Sequence, residues 1–187
     1  MAKRKGKTMK AIAFIAILIF LAFSLKGYIV PAKRFDAKEN LAKTHNDRLI
    51  PKVHKLYGST IAMICRNEKV SPALCSVIEK MIIIESSCNP NARKANDGVG
   101  LLGVKPSDAI ARGVDPDSLM IPYWNLVAGI RHLNYLVNRL NGDVPGAVVA
   151  YNCGLKNYRK NYQAAGVNAT QGRYFQKVQI LAVATNQ

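Results

Sequence analysis

The first thirty residues set the strongest limit on the fold, because they cannot belong to the same globular core as the rest. A basic head, residues 1–10, precedes an apolar run, residues 11–30, in which Lys26 is the only charged residue. As a helix rising about 1.5 Å per residue, this run would span roughly 30 Å, which is the thickness of the hydrocarbon core of a bilayer. The sequence therefore predicts a membrane anchor or an export signal ahead of one further domain.

Two interpretations of residues 11–30 remain open. A signal peptide would be cleaved after small residues, and such sites exist near Ser24 and Ala32. We favour an uncleaved transmembrane anchor, since the run can cross a bilayer if Lys26 extends its ammonium group to the interface. In both cases the basic head should stay in the cytoplasm while the remainder of the chain crosses the membrane.

The chain is strongly basic, and its charge is unevenly spread. It has 27 basic against 11 acidic residues, a formal net charge of +16. Half of this excess lies in residues 1–34, which contain no acidic residue. The remaining charge would suit nucleic acid, anionic lipid or an acidic polymer of the cell wall. Because a zinc-finger spacing, an RNA-binding aromatic motif and a dense basic helix are all missing from the sequence, we expect no nucleic acid partner.

Four cysteines lie in the predicted exported part: Cys65, Cys75, Cys88 and Cys153. They are compatible with two disulfides in an oxidising compartment, although spacing alone allows three pairings. We expect Cys65 with Cys75 and Cys88 with Cys153, because both members of the second pair lie beside candidate site motifs. Buried free thiols are the alternative. The spacings match no zinc pattern and no phosphate-binding glycine-rich loop occurs, so we expect neither a metal nor a cofactor.

The rest of the chain has the pattern of a mainly α-helical protein. Residues 31–49 are polar and have no sustained apolar face, which predicts a linker or a loosely packed helix. The folded domain should therefore comprise residues 50–187. Apolar spacing and capping signals predict helices over residues 51–65, 71–86, 122–140 and 143–151.

Glu85 is the first candidate for a catalytic residue. It follows three isoleucines, residues 82–84, and falls on the same helical face as Leu74 and Ile78. A carboxyl group among apolar side chains loses hydration when it ionises, so its pKa should rise towards values useful to a general acid. A cap on a neighbouring helix or a buried ion pair is the alternative role.

Four motifs in and after this helix have a specific order. They read IESSCNPNA at 84–92, DGVGLLGVKP at 97–106, AVVAYNCG at 147–154 and RYFQKV at 173–178. Together they resemble the lytic transglycosylases of the goose-lysozyme-like (SLT) group, including the short forms of secretion, conjugation and phage systems. The resemblance covers residues 50–180. It implies a mainly α-helical, lysozyme-like domain that cleaves the glycan strands of peptidoglycan.

The resemblance also implies roles for individual residues. Glu85 matches the catalytic acid. The implied substrate-binding residues are Ser86, Ser87, Gly100, Leu101, Leu102, Tyr151, Asn152 and Tyr174. Gly103 departs from the pattern, since the family usually has a glutamine there that helps to build the substrate cleft. We expect Tyr151→Phe to lower activity with little change in melting temperature.

The implied reaction needs one carboxylic acid, whereas ordinary glycosidases use two. Glu85 would protonate the leaving oxygen with assistance from the substrate's N-acetyl group, and would then deprotonate the 6-hydroxyl to form a 1,6-anhydro-muramoyl end. A lysozyme-type hydrolase (muramidase) and a catalytically impaired wall-binding component remain alternatives.

The expected partners follow from the resemblance and from the N-terminal segment. They are peptidoglycan glycan strands, the membrane through residues 11–30, and a secretion, conjugation or virion assembly. We expect an inner-membrane anchor with the catalytic domain in the periplasm. A secreted or virion-associated protein is the alternative.

Overall fold

The computed structural model describes residues 32–166, 168–169 and 172–183. The predicted basic head and anchor, residues 1–30, lie outside these residues. The chain divides into two compact units, residues 1–42 and 43–187, and the second contains the candidate site. Of the helices that the structure describes, none is both long enough and apolar enough to cross a membrane.

The described residues form helices joined by turns. In chain order the elements are α1 (Ala32–Asn67), α2 (Pro72–Cys75), α3 (Ile78–Ser86), α4 (Pro106–Ala111), a 3₁₀ helix (Pro116–Met120), α5 (Pro122–Arg139), α6 (Val144–Cys153), α7 (Leu155–Tyr158), a π-helical turn (Arg159–Gln163) and α8 (Arg173–Val183). Within this part of the chain, β-type pairing is limited to two isolated antiparallel bridges. The mainly α-helical class that the sequence predicts is confirmed.

The first helix begins earlier than the sequence predicts. α1 runs from Ala32 to Asn67 and contains Pro51, where we expected it to start. Residues 32–49, predicted as a linker or a loosely packed helix, are helical, so Ile50 does not mark the start of an element. A polar stretch without an apolar face gives no periodic signal, which is why the sequence did not reveal where this helix begins.

The helix predicted over residues 71–86 forms as two shorter helices, α2 and α3. Ser71 and Pro72 open α2 as expected. The hydroxyl of Ser76 then donates to the carbonyl of Ala73 at 2.8 Å. Such a local side-chain bond competes with the regular helical pattern, and α3 begins two residues later.

α5 supplies much of the core and organises the site around it. Its most deeply buried side chains recur every three or four residues and include Leu126, Ile130, Leu133 and Leu136. α5 packs against α6, while α8 packs against both α3 and α6. α3 carries Glu85, α6 carries Tyr151 and α8 carries Tyr174. The packing of these helices therefore brings three of the predicted site residues into one region.

Of the two expected disulfides, the structure contains one. Cys65 is bonded to Cys75, which joins α1 to α2. Cys88 and Cys153 are free, so their predicted pairing is wrong. Cys88 is buried near Tyr57 of α1, whereas Cys153 ends α6, so the two thiols face different parts of the fold. Burial raises the pKa of both thiols, which makes them less reactive.

Loss of the Cys65–Cys75 disulfide should lower the stability of the domain. The two residues are 10 apart in sequence, and a crosslink of this size contributes about 2–3 kcal/mol by restricting the unfolded chain. We expect the double serine variant to lose that much free energy of unfolding in urea denaturation. A reductant should destabilise the unmodified protein but leave the double variant unchanged. Equal sensitivity of the two proteins to the reductant is the result that would contradict this account.

Candidate active site

Glu85 lies in the last turn of α3 with its side chain buried. Only 4% of this side chain is exposed. The ammonium group of Lys94 donates to Oε2, and the hydroxyl group of Tyr174 donates to Oε1. The expectation that Glu85 lies on the buried face of its helix is confirmed, and each of its carboxylate oxygens has a hydrogen-bond donor.

The electrostatics around Glu85 include a charge that the sequence pattern did not reveal. Apolar neighbours such as Ile82 remove water from the carboxyl group, which favours its neutral form. Lys94 is an opposite charge in direct contact with it and favours the carboxylate. Burial also lowers the pKa of Lys94, because the ammonium group loses hydration in the same site. The protonation of each group therefore depends on the state of the other.

A turn after α3 places Lys94 beside the carboxylate. In this segment, which we call the site loop (residues 92–105), the N–H of Lys94 donates to the carbonyl of Gly98 at 2.8 Å. Val99 and Val104 exchange two backbone hydrogen bonds of 3.0 Å each. The loop thus folds back on itself. Helical periodicity gives no signal for such a turn, which is why the sequence did not single out Lys94.

Gly103 leaves the space in which Lys94 meets Glu85. Its φ of +59° lies in the left-handed region that favours glycine. A Cβ at this position would lie 2.9 Å from Oε2 of Glu85 and 3.1 Å from Cε of Lys94. Any side chain here would therefore displace the ion pair. This chain has Gly103 where the family usually has a glutamine, and the side chain of Lys94 lies beside this glycine.

Asn125 of α5 holds the site loop from the core side and is fully buried. Its Oδ1 accepts from the N–H of Leu102 at 2.9 Å, and its Nδ2 donates to the carbonyls of Val99 and Leu119 at 2.8 and 2.9 Å. Gly100 packs so closely against this amide that a Cβ would clash with it. Gly100 therefore has a packing role, and its implied substrate contact stays a prediction. A polar residue on the apolar face of α5 was the signal that could have identified Asn125.

Tyr151 and Asn152 lie next to each other but have different surroundings. The hydroxyl group of Tyr151 donates to the carbonyl of Leu102 at 2.9 Å, and its ring packs edge-on against His132 at 5.4 Å. Burial raises the pKa of both Tyr151 and Tyr174, so both act as neutral hydrogen-bond donors. Asn152 is exposed.

Other residues implied by the resemblance serve the fold. Leu101 and Leu102 are buried in the core, at 0% and 1% exposure, so their side chains pack and do not face a ligand. This corrects their implied substrate-binding role. The hydroxyl group of Ser86 donates to the carbonyl of Ile82 at 3.0 Å. Ser87, exposed and in a left-handed conformation, ends α3.

Two open cavities are each lined by a partner of Glu85, and a third lies beside both of them. The first has a volume of about 470 Å³, and its lining includes Tyr174, Asn152, Asn161 and Arg173. The second has a volume of about 580 Å³, and its lining includes Lys94, Arg93, Asp97 and Lys105. The third, of about 420 Å³, shares Asn152 with the first and Lys105 with the second. The two residues in contact with Glu85 therefore each line an open cavity, Tyr174 the first and Lys94 the second.

Comparison with known proteins places this site in a family. Residues 62–173 match the family model described as the transglycosylase SLT domain. The match covers more than half of the chain, and the protein belongs to this family. Among solved structures, the fold is similar to that of the lytic transglycosylase Slt from Pseudomonas aeruginosa, solved as an inactive glutamate-to-glutamine mutant.

The likeness to that structure concerns the fold. The TM-score is 0.57 and the sequence identity is 21% over 70% of this chain. The chain spans about a quarter of the other protein's length, with 24% of that chain covered. The fold is therefore shared with a known transglycosylase structure.

The two site tyrosines should respond differently to replacement by phenylalanine. Tyr174→Phe removes a donor to a charged oxygen, and such a bond contributes about 1.5–3 kcal/mol. We therefore expect release of soluble glycan products from sacculi to fall about 10- to 100-fold. Tyr151→Phe removes a bond to the backbone of the site loop, which should cost about 1 kcal/mol of stability and affect product release less.

Initial rates of product release and thermal unfolding, measured on both variants, separate these effects. Both variants should lower the melting temperature, because each loses a hydrogen bond of the folded protein, but only Tyr174→Phe should also strongly lower product release. The hydrogen bond to Leu102 thus changes the sequence-based expectation for Tyr151→Phe. A Tyr174→Phe variant with full activity would show that its contact with Glu85 is unimportant for turnover.

Proposed function

We propose that this protein is a peptidoglycan lytic transglycosylase. It cleaves the β-1,4 bond between N-acetylmuramic acid and N-acetylglucosamine and leaves a 1,6-anhydro-muramoyl end. The observation that carries the proposal is the buried carboxyl group of Glu85, whose two partners each line an open cavity. Membership of the SLT family supports it. So does the similar fold of Slt, a lytic transglycosylase whose glutamate-to-glutamine mutant is inactive.

In the first step Glu85 acts as the general acid. The protonated carboxyl group gives its proton to the glycosidic oxygen as the bond to C1 of the muramic acid residue breaks. The substrate's N-acetyl oxygen stabilises the positive charge that develops at C1. The Lys94 ion pair favours the carboxylate, so the first step requires this contact to weaken when the glycan strand enters.

In the second step the same residue acts as the base. The Glu85 carboxylate removes the proton from the 6-hydroxyl of the muramic acid residue, and the resulting oxygen bonds to C1. This proton leaves Glu85 protonated again, as it was at the start of the first step, and no water is consumed. Tyr174 holds Oε1 throughout, which keeps the carboxyl group oriented in both steps.

Four other carboxylates have structural roles, which agrees with a mechanism with a single acid, whereas Asp97 lines the second cavity together with Lys94. Asp115 and Asp143 cap helices, Glu68 forms an ion pair with Arg131, and Glu79 is hydrogen-bonded to His54. The described partners of Glu85 are a lysine and a tyrosine. Enzymes that rely on two carboxylates place them on either side of the scissile bond, and a site with one acid has no such requirement.

The protein acts from an inner-membrane anchor formed by residues 11–30, with its domain in the periplasm, and opens the wall locally for a secretion, conjugation or phage machine. The basic head and apolar run support this location. The Cys65–Cys75 disulfide suits an oxidising compartment. Membrane fractionation together with protease digestion of spheroplasts tests it. A protein found in the cytosol and protected from protease would contradict it.

Mass spectrometry of the soluble products released from purified sacculi tests the activity. We expect the protein to release muropeptides with 1,6-anhydro ends, because the internal hydroxyl group takes the place of water. Products with reducing ends would show a muramidase instead. If the protein bound sacculi but released nothing, it would be a wall-binding component, and the proposed activity would be wrong.

A further inference from the structure

The second cavity, beside Glu85, is strongly basic. Three cations line it, Arg93, Lys94 and Lys105, against a single acid, Asp97. Arg93 and Lys105 are exposed, and neither forms an ion pair with any residue that the structure describes. Asp97 likewise has no ion pair within the described residues. Because Lys94 is paired with Glu85, Arg93 and Lys105 against Asp97 leave the cavity a net positive charge, and an incoming anion would be attracted to it.

Lys94 connects this cavity to the catalytic candidate. Its side chain is 31% exposed, and its ammonium group contacts Oε2 of Glu85. Burial of this ammonium group lowers its pKa, so a second anion nearby would help to keep it charged. Gly103 has no side chain to separate Lys94 from the carboxylate. Lys94 therefore lines the basic cavity and also contacts the carboxylate of Glu85.

The glycan strand carries an anion close to the bond that the proposed reaction breaks. N-acetylglucosamine is neutral, whereas each muramic acid residue carries a lactyl branch that ends in a carboxylate or continues into a peptide with carboxylates of its own. The proposed reaction breaks the bond at C1 of a muramic acid residue, so this branch necessarily lies close to Glu85 during turnover.

We propose that the cavity lined by Arg93, Lys94 and Lys105 binds a carboxylate on the lactyl or peptide branch of muramic acid. This inference rests on the proposed function. The charge-assisted hydrogen bonds come mainly from Arg93 and Lys105, which have no competing partner among the described residues. The bound anion also attracts Lys94, which weakens its hold on Glu85 and favours the protonated acid that the first step needs.

Binding measurements on a protein that cannot cleave its ligand test the proposal. The full chain with Glu85→Gln serves as the parent, and R93Q/K105Q is added to it. K52Q/K55Q, which removes two exposed positive charges from α1, is the matched control. The ligands are glycan fragments that carry peptides, the same fragments with the peptides removed to leave lactyl carboxylates, and neutral N-acetylglucosamine oligomers.

We expect R93Q/K105Q to bind carboxylate-bearing glycan about tenfold more weakly, which corresponds to about 1.4 kcal/mol. Its affinity for the neutral oligomer should stay within about twofold of the parent's, since surface changes away from specific contacts have small effects. The control should match the parent with every ligand. Weaker binding of the peptide-free fragment would assign the anion to the lactyl group, and weaker binding of the peptide-bearing fragment alone would assign it to the peptide.

Equal losses in R93Q/K105Q and in the control would overturn the proposal, because general charge would then explain the binding. An unchanged affinity of R93Q/K105Q for all three ligands would overturn it as well, while leaving the proposed reaction intact. If the parent bound none of the glycans, both this proposal and the proposed function would be wrong.

Discussion

A Glu85→Gln variant should release almost no soluble products from sacculi. Glutamine has nearly the same shape and can still accept a hydrogen bond from Tyr174, but it cannot transfer a proton to or from the substrate. General acid–base catalysis by one positioned group is worth about 100- to 10,000-fold, and in the proposed mechanism the same group serves both steps. We expect the initial rate of anhydro-muropeptide release, followed by mass spectrometry, to fall at least 100-fold.

Glu79→Gln is the matched control, because it makes the same substitution in the same helix. Glu79 pairs with His54, at 2.8 Å, on the outer side of the fold, so its variant should keep full activity. The Glu85→Gln protein should still bind sacculi and show an unchanged circular dichroism spectrum. Release of muropeptides at the unmodified rate by the Glu85→Gln variant would remove Glu85 as the catalytic acid.

An Asn125→Ala variant should lose much of the stability of the domain. The substitution leaves the N–H of Leu102 and the carbonyl of Leu119 without their Asn125 partner, while the carbonyl of Val99 keeps its bond from the N–H of Val104. Each buried polar group left unpaired costs about 1–3 kcal/mol. We expect the free energy of unfolding to fall by about 3–5 kcal/mol, a large share of the stability of a typical domain.

Urea denaturation followed by circular dichroism measures this loss, and Asn138→Ala is the control. Asn138 lies on the same helix but is exposed. Its replacement by alanine gives the same gain in helix propensity as Asn125→Ala but breaks no buried hydrogen bond. Its stability should stay within about 0.5 kcal/mol of the unmodified protein. The Asn125→Ala variant should also lose activity, because the site loop that places Lys94 is no longer held. Equal stability of the two variants would mean that Asn125 does not anchor the loop.

In the proposed two-step mechanism, the Lys94–Glu85 contact and the basic cavity together set the protonation state of Glu85. With the site empty, the lysine favours the carboxylate, which is the form that acts as a base in the second step. A carboxylate-bearing strand would compete for the same lysine and favour the acid form needed in the first step. Protonation of Glu85 would thus be coupled to the arrival of the substrate.

Several features of the fold could be predicted because they depend on neighbours along the chain. The repeat of apolar residues every three or four positions predicted α5 and its buried face. Ser71 with Pro72, and Asp143 with the residues after it, predicted two helix starts through local capping bonds that the structure contains. The position of Glu85 on an apolar face predicted its burial. Sequence order, in the form of four short motifs, predicted the family.

By itself, then, the sequence determined the helical class, the family and the buried acid, since these follow from periodicity, capping and short motifs. Tertiary structure alone decided that Lys94 meets Glu85, that Asn125 supports the site loop and that Cys88 stays apart from Cys153. It also decided that Leu101 and Leu102 pack inside the core and do not face the cleft. The physical reason is that these contacts join residues on different elements, and their geometry depends on how the helices pack rather than on spacing along the chain.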